Sequence, residues 1–125
     1  MFSCTKPGWN STLRLYHAEA PTGRWTEHPC SPVVVDNRRS ARPAGRIITS
    51  AYGLIRFAQD CYPDYGVGVR AFRIISLDRK TYREEPAVPD PIVGPGQAAW
   101  NRSGMHHVDA RPWPEGGWIA AVDGR

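Results

Sequence analysis

The sequence has no apolar run approaching the roughly 20 residues of a membrane-spanning helix, so no membrane span is expected. It also has no CxxC pair. Its three cysteines, Cys4, Cys30 and Cys61, are an odd number at wide spacings, which implies neither a disulfide framework nor a zinc site. A reducing, cytoplasmic setting is the simpler expectation. The opening Met-Phe-Ser-Cys-Thr-Lys-Pro-Gly lacks an apolar core, so no signal peptide is expected there. Basic residues exceed acidic ones by 16 to 12, for a formal charge of +4, yet they are spread along the chain. None of their runs has the density of a nucleic-acid-binding arm, and no nucleic-acid partner is expected. Long helices are disfavoured too, because 12 glycines and 12 prolines cut the 125 residues into short segments that suit strands and turns. That length fits one domain with a usable core.

The stretch that is richest in information is Ser40 to Gly66. Its alternation predicts a strand over residues 40–47, a turn at Ala51 to Gly53, and a second strand over residues 54–61. Arg42 and Arg46 share a face of the first strand. On the second, Ile55, Phe57, Gln59 and Cys61 face one way and Leu54, Arg56, Ala58 and Asp60 the other. Both faces mix apolar and polar residues, so neither reads as a plain core face.

Upstream, residues 12–18 alternate, and Pro21-Thr22-Gly23 turns them into Arg24 to His28, which predicts a hairpin with Trp25 packed on its neighbour. Val33 to Val35 reads as a short buried run. Downstream, residues 67–77 form the longest strand candidate, with Val67, Val69, Ala71, Arg73, Ile75 and Leu77 on one face. Thr81 to Glu84 suits a charged edge strand. Pro86 to Gln97 is a loop, and residues 104–110 and 117–123 form a last strand pair. The strands beginning near Arg42, Leu54, Val67 and Thr81 make one antiparallel four-stranded meander. The expected class is all-β.

The order SARPAGRI, RFAQDC, YG, flanked by RLYHAEAPTGRWTEHPCSPVVVD and GMHHVDARPWPEGGWIAAVDGR, resembles the amino-terminal domain of the glucosamine inositolphosphorylceramide transferase family. The resemblance covers most of the chain from about Leu13 onward. It implies a five-bladed β-propeller related to arabinanase and invertase-like glycosidases. Residues 1–125 would then be a single partial propeller, with one full blade at about residues 33–85 and a half-blade on either side. A small β-sandwich of seven strands is the alternative. In plant members the domain precedes a glycosyltransferase domain, and no Asp-x-Asp motif for a nucleotide-sugar metal is found here.

A propeller aims its innermost strands at a central channel, where ligands sit at one mouth. On that geometry Arg42, Arg46, Gln59, Asp60, His107 and Asp109 are channel candidates, with Arg42 and Asp109 paired across adjacent strands. Arginine forks and carboxylates suit a glycan or sugar phosphate. Trp113, between two prolines in a turn, is the best exposed candidate platform for a sugar ring, and most of Trp9, Trp25, Trp100 and Trp118 are expected to pack between blades. The expected function is therefore a carbohydrate-binding module accessory to glycosyl transfer. The alternatives are a glycosidase-like hydrolase, with Asp60 and Asp109 as the catalytic carboxyls, and a truncated remnant without activity. Two carboxyls would need to lie roughly 5 to 9.5 Å apart for hydrolysis. His107 and Asp109 share a strand face, but two ligands make a poor metal site, and a hydrogen-bonded pair is expected instead. No metal and no cofactor are expected. Open sheet edges on the half-blades predict self-association.

Overall fold

The computed structural model describes residues 1–4 and 10–125. Among them there are strands and turns but no helix, and so none long and apolar enough to cross a membrane. Trp9 lies outside the described residues. The strands are β1 (Phe2–Ser3), β2 (Arg14–His17), β3 (Thr26–Glu27), β4 (Ile48–Ser50), β5 (Gly53–Asp60), β6 (Gly68–Leu77), β7 (Tyr82–Pro86), β8 (Met105–Pro112) and β9 (Trp118–Gly124). They form three antiparallel sheets, β1-β2-β3, β4-β5-β6-β7 and β8-β9. The middle sheet is the expected four-stranded meander except that its first strand is Ile48–Ser50 and not residues 40–47. The described sheets do not close into a ring.

β5 is central and is buried on both faces. Its Ile55 and Phe57 meet Val69 and Ala71 of β6, Ala44, and Val108 and Ala110 of β8 in one apolar cluster. Each large side chain sealed there is worth about 1.5–3 kcal/mol. The opposite face carries Arg56, only 1 % exposed. Its guanidinium donates from Nε to Glu84 Oε2 (2.7 Å), and from Nη2 to Glu84 Oε1 (2.6 Å) and to the Ser40 carbonyl (3.0 Å). It also lies over the Phe72 ring at 4.8 Å. Glu84 accepts a further hydrogen bond from the Tyr82 hydroxyl. The first sheet covers this side. Phe2 packs on Tyr82 with ring centroids 5.4 Å apart, the His28 ring meets the Asp78 carbonyl at 2.8 Å, and Arg79 pairs with Glu19 at 2.6 Å.

The last hairpin docks backbone to backbone. Val108 N–H donates to the Ala44 carbonyl at 2.8 Å, and a Cβ on Gly45 would sit 1.8 Å from the Val108 carbonyl oxygen. Gly45 has a φ of 151°, so both space and conformation require glycine.

Several expectations change at this level. Residues 40–47 do not form a regular strand. They run beside β5 with a single bridge, Pro43 to Ala58, and regular pairing begins only at Ile48. Pro43 has no N–H to give and Gly45 leaves the usual extended region. Val35 is 61 % exposed, so the valine run is not buried throughout. Trp25 is 40 % exposed and donates from Nε1 to the Pro21 carbonyl at 3.2 Å. On β6 a bulge between Ile74 and Ser76 breaks the predicted face, and Arg73 is exposed while Ile74 is buried. β1 had no counterpart among the predicted strands.

Candidate functional site

β5 ends and β6 begins at one end of the middle sheet, and residues 38–42 run alongside. Gln59 N–H donates to the Arg42 carbonyl and Cys61 N–H to the Arg38 carbonyl, both at 2.8 Å. These bonds fix the arginine-rich segment against the end of β5. Below it lies the Asp60 carboxylate, 1 % exposed. It accepts from Arg70 Nε at 2.8 Å, from Arg39 Nη1 at 3.1 Å and from the Tyr62 N–H at 3.1 Å. A buried charge needs such partners, and here two guanidiniums supply them.

Two arginine–tyrosine stacks stand near this end of the sheet, the first tied to Asp60 through Arg39. The Arg39 guanidinium lies 4.6 Å from the Tyr62 ring centroid and that of Arg42 5.1 Å from Tyr65. Arg42 Nη1 also donates to Asn10 Oδ1 at 3.1 Å. The Tyr65 ring meets His106 at 5.7 Å, and His106 Nε2 lies 3.2 Å from Asp123 Oδ2. The result is a surface, the mouth, that carries cations and aromatic rings, and its concave part is lined by Asp36, Asn37, Arg38, Arg39 and Tyr62. Such a surface suits an anionic polyol: the guanidiniums match phosphate or carboxylate oxygens, and the rings match the C–H face of a sugar.

Of the residues singled out in the sequence, Arg42, Gln59 and Asp60 lie near this end of the sheet, but Gln59 and Asp60 point to opposite faces of β5 and Gln59 meets Arg42 only through the backbone. Gln59 is buried, with its Oε1 3.7 Å from Cys61 Sγ. Arg46, His107 and Asp109 form a separate group on the outward face of β8. Asp109 pairs with Arg46 through two hydrogen bonds, one of 2.8 Å from Nη2. The Arg46 fork pulls the Asp109 carboxyl below its ordinary range and raises the Arg46 guanidinium in turn. This corrects the expected Arg42–Asp109 pair. The bond from Val108 to Ala44 sets Asp109 beside Arg46, whereas Arg42 lies four residues earlier, roughly 13 Å along an extended chain. Asp109 hydrogen-bonds Arg46 and not His107, which is exposed. Trp113 sits in the β8–β9 turn, 41 % exposed. Asp60 lies on the Arg56 face of β5 and β8 covers the other, so among the described residues Asp60 and Asp109 share no hydrogen-bonding partner. Arg39, Tyr62, Tyr65, Arg70 and His106 were missed. A signal existed: Arg39 and Arg42 have the same spacing as Tyr62 and Tyr65.

The family model described as glucosamine inositolphosphorylceramide transferase 1, N-terminal, matches residues 2–125. This chain belongs to that family. A glucosamine inositolphosphorylceramide transferase 1 from Oryza sativa subsp. japonica is 34% identical over 117 residues, covering 92% of this chain and 16% of the relative. The Arabidopsis thaliana protein of the same name is 32% identical over 118 residues, covering 92% of this chain and 15% of its own length. The chain thus spans under a fifth of these family members. No solved structure matches.

Proposed function

We propose that this domain is a carbohydrate-related β-propeller module that binds a glycan or phosphorylated sugar as an accessory to glycosyl transfer. In this reading residues 33–85 are one complete blade, flanked by half-blades. Family membership supports the carbohydrate context. The observation that carries the reading is the pair of stacks, Arg39 on Tyr62 and Arg42 on Tyr65, near one end of the middle sheet. The relatives' names speak of inositolphosphorylceramide, whose headgroup is an anionic polyol of the kind this mouth matches. Binding is proposed rather than hydrolysis because Asp60 and Asp109 belong to separate ion clusters.

The test is calorimetric titration with inositol 1-phosphate and glucosamine 6-phosphate, with myo-inositol as the uncharged control. The phosphorylated rings should bind, and Arg39→Ala or Arg42→Ala should weaken them by about 10- to 100-fold, the loss of one charge-assisted hydrogen bond. Equal binding by wild type and both variants, or no binding of either phosphate, would sink the proposal.

A further inference from the structure

The last hairpin has an open side. Val108 and Ala110 of β8 are buried in the apolar cluster with Ala44 and the middle sheet, whereas every residue of β9 from Trp118 to Asp123 is exposed. Among the described residues no strand pairs with the outer edge of β9. A two-stranded ribbon is marginal by itself, and an open edge is usually defended by lysine, proline or a bulge. Trp118-Ile119-Ala120-Ala121-Val122 carries no charge, proline or glycine. The irregularity in its pairing with β8 lies beyond this stretch, between Met105 and His107.

The backbone determines which groups face that edge. Val108 N–H is given to the Ala44 carbonyl at 2.8 Å and so points away from β9, while Trp113 N–H turns the other way, to the Gly117 carbonyl at 3.0 Å. Hydrogen-bonded and non-hydrogen-bonded pairs alternate in an antiparallel ladder. Val108–Val122, Ala110–Ala120 and Pro112–Trp118 are therefore the non-hydrogen-bonded pairs, and Pro112 has no N–H to offer in any case. Trp118, Ala120 and Val122 accordingly turn their N–H and C=O groups outward.

This row is complementary to itself. A second β9 laid antiparallel about a two-fold axis at Ala120 sets Trp118 opposite Val122, Ala120 opposite Ala120 and Val122 opposite Trp118. Each such pair exchanges two hydrogen bonds, about six in all. The bulky Trp118 meets a β-branched partner on either side of the small Ala120, a favourable cross-strand pairing. Asp123 faces Gly117, and Glu115 comes level with the oppositely charged Arg125 of the second copy. Moving the axis to Ala121 would set Ile119 against the Asp123 carboxylate, and moving it to Ile119 would run Val122 past Gly116 in the turn. The match of β9 with itself favours a second copy over an unrelated strand.

We infer that two copies of this chain join through their β9 strands into one four-stranded sheet, β8-β9-β9-β8, with a two-fold axis at Ala120. The contact uses neither arginine–tyrosine stack, so it holds or fails independently of carbohydrate binding.

Sedimentation equilibrium of the intact chain should show its mean mass rising with concentration toward twice that of the monomer. Ala120→Pro removes an outward N–H and none that β8 uses, a change an edge strand tolerates. It should abolish the rise, while the amide shifts of residues 105–111 match those of dilute wild type. The register is read by cross-linking in a Cys30→Ser background. Oxidised glutathione should link Ala120→Cys copies, whose Cα atoms would lie about 5.5 Å apart. It should not link Val122→Cys copies, whose Cα atoms would be roughly 13 Å apart along the strands. The inference is overturned if the chain stays monomeric, which would leave the edge to a different protein, or if Ala120→Pro associates as wild type does, which would put the contact on another surface. Linkage of Val122→Cys as readily as Ala120→Cys would overturn it too.

Discussion

Arg56 is the residue whose removal should harm this fold most. Its side chain is 2% exposed and that of its partner Glu84 11%, so the pair is almost wholly withdrawn from water. Arg56→Met keeps an unbranched apolar stem and removes the charge together with the guanidinium that lies over Phe72. Glu84 is then left buried with the Tyr82 hydroxyl, and the Ser40 carbonyl loses its donor. Burial and the Glu84 carboxylate push the Tyr82 phenol upward, so it stays protonated and cannot replace a cation. Breaking a buried pair from one side costs about 3–5 kcal/mol. A domain has only about 5–15 kcal/mol in total, so the variant should be barely folded. Removing both charges, as Arg56→Met with Glu84→Gln, should recover most of the loss, since no unpaired charge remains. Urea unfolding of wild type, both single variants and the double variant closes the cycle. If Arg56→Met costs less than about 1 kcal/mol, the pair behaves as an exposed one and the argument from burial fails.

Three further outcomes are expected. Gly45→Ala should release the β8–β9 hairpin, because its Cβ would meet the Val108 carbonyl oxygen; amide shifts of residues 105–124 that match wild type would contradict this. Stability should fall in acid, because Asp109 is held low by Arg46, Glu27 by the Ser31 hydroxyl and then Arg14, and Glu85 by Arg73. Carboxyls depressed in the folded state stabilise fully above their unfolded pKa, near 4, and lose that effect as pH drops through the lower folded values. Arg46→Gln should flatten this dependence in urea midpoints measured from neutral to acid pH, and an unchanged slope would refute the assignment to Asp109. Finally, β9 leaves an outer edge with Trp118, Ile119 and Val122 exposed, so the chain should self-associate in light scattering and Val122→Lys should reduce the association. A monodisperse wild-type monomer would count against it.

The meander and the two hairpins were legible because alternation and Gly or Pro punctuation act locally, over a few residues. What escaped depends on residues distant in sequence. Arg56 looked like part of a mixed face, and only Glu84, 28 positions on, makes its burial tolerable. The partner of Asp109 depended on where the last hairpin docks, which Gly45 decides. Gln59 and Asp60 do end a strand, but on opposite faces of it. The tyrosines of the mouth read only as a turn, since Tyr-Pro-Asp-Tyr is turn-like by composition. β1 is two residues long and has no periodicity to detect.

The double-faced burial of β5 has a consequence for the order in which the chain is made. A ribosome delivers the first sheet before the surface it covers exists. Phe2 waits for Tyr82, His28 for Asp78 and Glu19 for Arg79, so the amino-terminal apolar residues remain wet until the middle sheet has emerged. Arg56 is exposed to the same delay, because its carboxylate partner is synthesised 28 residues later. The nascent chain thus passes through a stage in which the strand that will be most buried also carries an unmatched charge. That charge keeps the unfinished sheet hydrated until Glu84 arrives to neutralise it.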